Sequence, residues 1–217
     1  MRTRELTYGK GAQTRRAILE AAISRFGREG FRPTSVADIA RDAGVGATAA
    51  YAYFPNKEAL FMAALDEDAA AVITEGGLST VAEGLGSTDW RQLLLVTLVQ
   101  AVDRHPLARR VLAGLEPDVT DRVLDIPALA ELRKAVGERL RKDQLAGTVR
   151  ADIDPQAIGN GLVAMTLSLL MSVVQLGTDA TSPYGNDVLA VFAAALEPFG
   201  HAAGRVTTAV AEGSRRG

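Results

Sequence analysis

Few residues of this 217-residue chain have the type and spacing of a reactive site. Its two histidines, His105 and His201, are the only side chains that titrate near neutrality without a shifted pKa. Cysteine is absent, which excludes disulfides and thiolate metal sites. Asp152 and Asp154 stand close together, but Pro155 follows them, and a turn entering a helix explains both. There is no G-x-S-x-G elbow, phosphate loop or metal-ligand spacing, so no catalysis, cofactor or metal is expected. The remaining chemistry is that of docking, in residues 34–60, TSVADIARDAGVGATAAYAYFPNKEAL. The hydroxyls of Thr34 and Ser35 stand where a helix should begin. A helix start offers unpaired N–H groups and a positive dipole end, both suited to a phosphate. Ser35 also suits a plain helix cap, and the two roles are compatible.

The elements that must position this stretch follow from its punctuation. Ser35 is the expected N-cap, with Asp38 placed to reach back to it. Val36, Ile39, Ala40 and Ala43 form the buried stripe, and Gly44 closes the helix in a left-handed conformation that glycine adopts cheaply. Val45 plugs the angle before a helix from about Ala47 to Phe54. Pro55 stops that helix, and Asn56 caps another that starts at Lys57 and runs to about Glu75. Upstream, Ile18, Ala22 and Phe26 mark one face of a helix over Thr14–Glu29, ended by Gly30, with Phe31 packing back beneath it. Two short helices at a fixed angle can set the second into a DNA groove.

The remainder reads as helices near 90–104, 106–114, 119–124, 127–145, 155–176 and 186–198, several opening on a proline. Hydrophobic residues make up 47% and aromatics 5%, which suits an Ala-, Leu- and Val-rich helical core. Residues 76–89, with four glycines, read as a linker. The expected fold is all-α, with a helix-turn-helix domain over 12–72, a helical domain over 76–200, and flexible tails at 1–11 and 201–217. Residues 162–176 are the most apolar stretch but fall short of a membrane span, so a buried helix is expected. The first residues, MRTRELTYGK, lack the apolar core of a signal peptide, which suggests a cytoplasmic protein. Residues 1–60 hold ten Lys/Arg against six Asp/Glu, a net +4, and the rest holds fourteen against twenty, a net −6. A basic front on an acidic body suggests a polyanionic partner for the front only.

The pattern T-S-V-x-x-I-A-x-x-A-G-V-x-x-x-x-x-Y-x-Y-F-x-N-K-E-x-L resembles the N-terminal domain of the TetR family of transcriptional regulators over residues 14 to about 65. The resemblance implies that Ala47, Thr48 and Ala52 face bases and that Tyr51, Tyr53 and Lys57 meet phosphates, beside Thr34, Ser35 and Gly46. Tyr51 has a second possible place, against the first helix. Two positions depart from the family's pattern: Gly46 stands where Ser or Thr commonly caps the recognition helix, and Ala50 replaces a large aliphatic residue. Arg, Asn and Gln, which read bases bidentately, are missing from 44–55. Specificity then draws on DNA shape and on Arg2, Arg4, Lys10, Arg15 and Arg16.

The resemblance further implies a homodimer on a palindromic, double-stranded DNA operator, released by a small-molecule effector, with repression the default. The interface is expected on the last two helices, through Gly161, Ala164, Ser168 and Ser172 and through Val188, Phe192, Ala195 and Phe199. Candidate effector contacts are Trp90, Leu94, Leu98, Val102, His105, Leu107, Val111, Leu132, Val136, Met165 and Leu169, an apolar set that suits a largely hydrophobic ligand. The alternative is a helical dimeric interaction protein that has lost specific DNA reading, which the alanine-rich recognition helix keeps open.

Overall fold

Caps at the turns fix where the first four helices begin and end. The computed structural model describes residues 2–82 and 89–198, so the expectations for Phe199, His201 and the C-terminal tail fall outside it. Helix α1 spans Arg2–Glu29, α2 Val36–Asp42, α3 Ala47–Tyr53 and α4 Lys57–Ile73. Gly30 ends α1 at φ 89°, and Gly44 makes the turn after α2 at φ 69°, the left-handed region that glycine enters without a Cβ penalty. The Val45 amide closes that turn by donating to the Ala40 carbonyl (2.9 Å). Phe31 does pack back beneath α1, edge-on to Phe61 at 5.2 Å and stacked near Phe26 at 6.1 Å. α1 begins at Arg2, well before the expected Thr14. Arg, Glu, Leu, Lys and Gln are good helix formers and carry the helix back through the segment expected as a free arm.

The first half of the glycine-rich stretch after α4, residues 76–82, is helical and not the linker its composition suggests, while 83–88 lie outside the described residues. α4 passes through a π-helical turn, Thr74–Leu78, into α5, Ser79–Ala82. Gly76 is buried there against the next helix, α6 (Asp89–Val102), and the Thr97 hydroxyl donates to its carbonyl. A Cβ at Gly76 would lie 2.8 Å from the Thr97 carbonyl oxygen, so glycine here permits a close helix crossing.

Beyond α6 come α7 (Pro106–Leu112), a 3-10 segment (Pro117–Asp125), α8 (Pro127–Leu145), α9 (Pro155–Leu176) and α10 (Thr178–Leu196). Proline stands at the start of α7, the 3-10 segment, α8 and α9, where its missing N–H costs nothing. α10 differs: it starts at Thr178, directly after Gly177 (φ 88°), and keeps Pro183 inside. No strand occurs among the described residues. α9, at 22 residues, is long and apolar enough to cross a membrane, contrary to the shorter stretch read from sequence. It packs instead between α8 and α10, yet only 33% of its most apolar window is buried in the protomer.

α7 ties the two halves together. Asp68 of α4 is 3% exposed, and its carboxylate accepts from the amides of Leu107 (3.0 Å) and Ala108 (2.8 Å) at the start of α7. The same carboxylate lies 2.8 Å from His105 Nδ1. A Cβ at Gly27 of α1 would lie 2.7 Å from Pro106 Cβ, so α1 and α7 also meet closely. Glu116, just before the 3-10 segment, accepts from the Phe31 amide (3.1 Å) and from Arg110 Nε (2.7 Å).

Candidate nucleic-acid interface

The α2–α3 pair is held from below and left open above. Val36, Ile39 and Ala40 bury the underside of α2. α3 buries Ala50 alone, and Phe54 anchors the residue after it. Ala50, where the family's pattern has a large aliphatic, is fully buried beneath α3. Arg25 of α1 grips Asp42 at the end of α2 with two bonds, Nε to Oδ2 at 2.6 Å and Nη2 to Oδ1 at 3.0 Å. That guanidinium holds the Asp42 carboxyl below the usual carboxylate range.

Gly46, Ala47, Thr48, Tyr51, Ala52 and Tyr53 are all exposed, so the structure brings the expected reading face together on one short helix. Gly46 sits at φ −73°, ψ 148°, an extended conformation open to any residue, and supplies no side-chain cap. Tyr51 is half exposed. Tyr53 takes the place expected as Tyr51's alternative: its hydroxyl lies beside Gly11 of α1, 3.5 Å from where a Cβ there would stand.

Three residues at the helix starts are more engaged internally than their chemistry alone suggests. Thr34 does not join the surface: it is buried, and its hydroxyl donates to the Gly30 carbonyl at 2.8 Å to fasten the turn. Ser35 caps α2, accepting from the Asp38 amide (3.1 Å) and donating to the Asp38 carboxylate (2.6 Å). That donation holds the Asp38 carboxyl below its ordinary range, and exposed Arg41 pairs with it at 2.9 Å. Lys57 folds back, donating to the Arg32 carbonyl (3.1 Å) with its ammonium 4.3 Å from the Phe31 ring centre. Asn56 caps α4 by accepting from the Ala59 amide at 2.7 Å.

An apolar cavity of about 70 Å³ lies at the other end of α4. Leu65, Ala69 and Val72 of α4 form one wall, facing Val111 of α7, Leu132 of α8 and Thr166 of α9. Of the residues expected there, Leu98, Val111 and Leu132 line it. The others do not. Leu94, Val102, Leu107 and Val136 are packed core. Trp90 is fully buried, and its Nε1 donates to Asp143 at 3.2 Å. His105 is turned to Asp68. Met165 points outward at 39% exposure. Leu169 lines a separate groove of about 350 Å³ between α6 and α10, which touches neither α4 nor α7. Sequence reasoning missed the α4 wall because that helix was assigned to the DNA-binding half alone. It missed Val163, Thr166 and Leu170 by choosing the opposite face of α9.

Residues 18–64 match the family model for bacterial regulatory proteins of the tetR family. Over 199 residues the chain is 26% identical to YdgC of Bacillus subtilis (strain 168), an uncharacterized HTH-type transcriptional regulator, covering 82% of this chain and 98% of that one. Over 51 residues it is 47% identical to the HTH-type transcriptional regulator RutR of Escherichia coli (strain K12), covering 24% of each. The fold is that of a putative TetR-family transcriptional regulator from Mesorhizobium loti, with a TM-score of 0.65 and 22% identity over 86% of this chain and 98% of that one. The matched segment runs from within α1 to α4 and so encloses the α2–α3 reading unit just described: residues 18–64 form a helix-turn-helix domain of the tetR regulatory type, and the helical body behind it shares the fold of solved TetR-family structures.

Proposed function

We propose that this chain is a ligand-responsive repressor that binds a palindromic operator as a homodimer and is released by a small, largely hydrophobic effector. The observation that carries the reading is the path of α4. It starts at Lys57, four residues after the end of α3, and eight residues further on its Leu65 enters the cavity wall. Anything that spreads that wall moves the helix on which the recognition unit is mounted. Two recognition helices must stand one DNA turn apart, on the order of 34 Å, to enter successive major grooves. An effector that favours another spacing shifts the population away from that state, by no more than its difference in affinity for the two.

The exposed faces of α9 and α10 support the dimer. Gly161, Ala164, Met165 and Ser168 are exposed on α9, and Tyr184 and Val191 on α10. Small residues let a second copy's helices approach closely, and the apolar surface left open on α9 is more than a solvated face needs.

Binding to duplex fragments from upstream of the chain's own gene tests the reading. A regulator keeps its preference for one fragment over scrambled duplex at physiological salt. Binding confined to low salt and indifferent to sequence would instead favour an interaction protein that has lost DNA reading.

A further inference from the structure

The cavity has sixteen lining residues, of which one, Thr166, is polar. The two serine hydroxyls on α9 and the buried Thr181 on α10 turn back onto carbonyls one turn earlier: Ser168 donates to Ala164 (3.0 Å), Ser172 to Ser168 (3.0 Å) and Thr181 to Gly177 (2.9 Å). Thr166 is 7% exposed yet makes no such bond, and its hydroxyl has no partner among the described residues. Among the described residues, the enclosed side-chain atoms without a hydrogen-bond partner are Arg91 Nη1 and His105 Nε2; the Thr166 oxygen is not one of them but keeps a small opening onto the cavity, where a hydroxyl among apolar walls is free to bond whatever fills the space. Water is a poor occupant, because a buried water needs two to four polar partners and this cavity offers one side chain. The nearby ionisable pair, Asp68 and His105, faces the start of α7 and takes no part in the lining.

We infer that Thr166 is the specificity-determining anchor for an uncharged, mainly apolar ligand that brings a single hydrogen-bonding group, a hydroxyl or a carbonyl. The inference rests on the effector reading above for its biological meaning, although the binding event itself is independent of DNA. A carboxylate or ammonium ligand would give up its hydration in a cavity with no charged lining residue, and is rejected. A hydrocarbon without a polar group fills the same space but leaves Thr166 unpaired. The free volume is small against the several hundred Å³ of sites that enclose larger ligands, so anything beyond a few heavy atoms must part α4 and α7 from α8 and α9.

The test is calorimetric titration of the full chain, without DNA, with straight-chain alkanols, the carboxylates of equal length at neutral pH, and the matching chloroalkanes. Thr166→Val removes the hydroxyl at nearly constant shape, and Thr166→Ser keeps it. The expected result is alkanol binding to the unsubstituted chain with carboxylates at least tenfold weaker. In Thr166→Val, alkanols weaken roughly tenfold, while chloroalkane binding, which reports an intact cavity, is unchanged. Thr166→Ser stays close to the unsubstituted chain for all three series. Carboxylates binding as well as alkanols, Thr166→Val binding alkanols undiminished, or no alkanol binding at all would each overturn the inference. Alkanols that bind at Thr166 but leave operator affinity unchanged would uphold this site and sink the effector reading instead.

Discussion

Replacing Asp68 tests how α7 is held between the DNA-docking half and the cavity. The buried carboxylate receives three donors: the amides of Leu107 and Ala108 on one oxygen, and His105 Nδ1 at the other. Asp68→Ala leaves all three without an acceptor in a site 3% exposed. Each unmet buried donor costs about 1–3 kcal/mol. Water entering the vacated space relieves part of this, so the expected loss is about 3–5 kcal/mol, the range for breaking a buried charged contact. Asp68→Asn is different. Its carbonyl oxygen can keep both amides, its NH2 can donate to His105 Nδ1 once the ring carries its proton on Nε2, and what goes is mainly the negative charge at a helix start, worth about 1 kcal/mol. Urea denaturation reads both, with the emission of Trp90, the only tryptophan, checked against far-UV circular dichroism. An Asp68→Ala loss below about 1 kcal/mol, or an Asp68→Asn loss as large as that of Asp68→Ala, would refute the account of Asp68 as the cap of α7.

Gly76→Ala should destabilise the chain by about 1–3 kcal/mol in thermal or urea melts despite alanine's higher helix propensity, because the new Cβ would meet backbone atoms of Thr97 and Leu98 at 2.8 and 2.9 Å. Gly161→Ala, with nothing within 4 Å of the new Cβ, should instead leave the protomer unharmed or firmer. Asp42, depressed by Arg25, adds stability that is present above the ordinary carboxylate pKa and lost as the pH falls through the lower folded value. The melting-temperature gap between the unsubstituted chain and Asp42→Asn should therefore be full near neutrality and close progressively below about pH 4; a gap that does not change with pH contradicts the pairing. Ala164→Glu, on the exposed face of α9, should yield monomers in sedimentation equilibrium with unchanged helix content, and a persisting dimer would move the interface elsewhere.

The docking unit was legible because its punctuation is local. Ser35, Gly44 and Asn56 each do one job that few residue types do as well, and the Val36–Ile39–Ala40 stripe fixes which side of α2 is buried. Lys57 and Thr34 were harder, since the same ammonium and hydroxyl that suit a phosphate also suit the Arg32 and Gly30 carbonyls, and only the folded turn decides between them. Gly76 illustrates a deeper limit: a glycine that lets two helices cross closely and a glycine that loosens a linker look alike until the crossing helix is in place. The last helix, expected near 186–198, likewise starts earlier, at Thr178, with Pro183 inside it and not at its start. Trp90, the only tryptophan, and His105, one of two histidines, stand out by rarity, yet Trp90 Nε1 and His105 Nδ1 are taken up by Asp143 and Asp68, carboxylates distant in sequence. The cavity depends on which face of α9 turns inward, and a helix this apolar on all sides carries little signal for that choice.

The proposed reading of DNA by the exposed face of α3 is tested most directly by the affinity of a Thr48→Glu chain for the operator, measured by fluorescence anisotropy at roughly 0.15 M salt. Thr48 is exposed on α3, so helix content and melting should not change. The unsubstituted chain should prefer its operator over scrambled duplex by on the order of a thousandfold or more, and Thr48→Glu, placing a carboxylate against bases and phosphates, should erase that preference. Full operator affinity and preference retained in Thr48→Glu would contradict it.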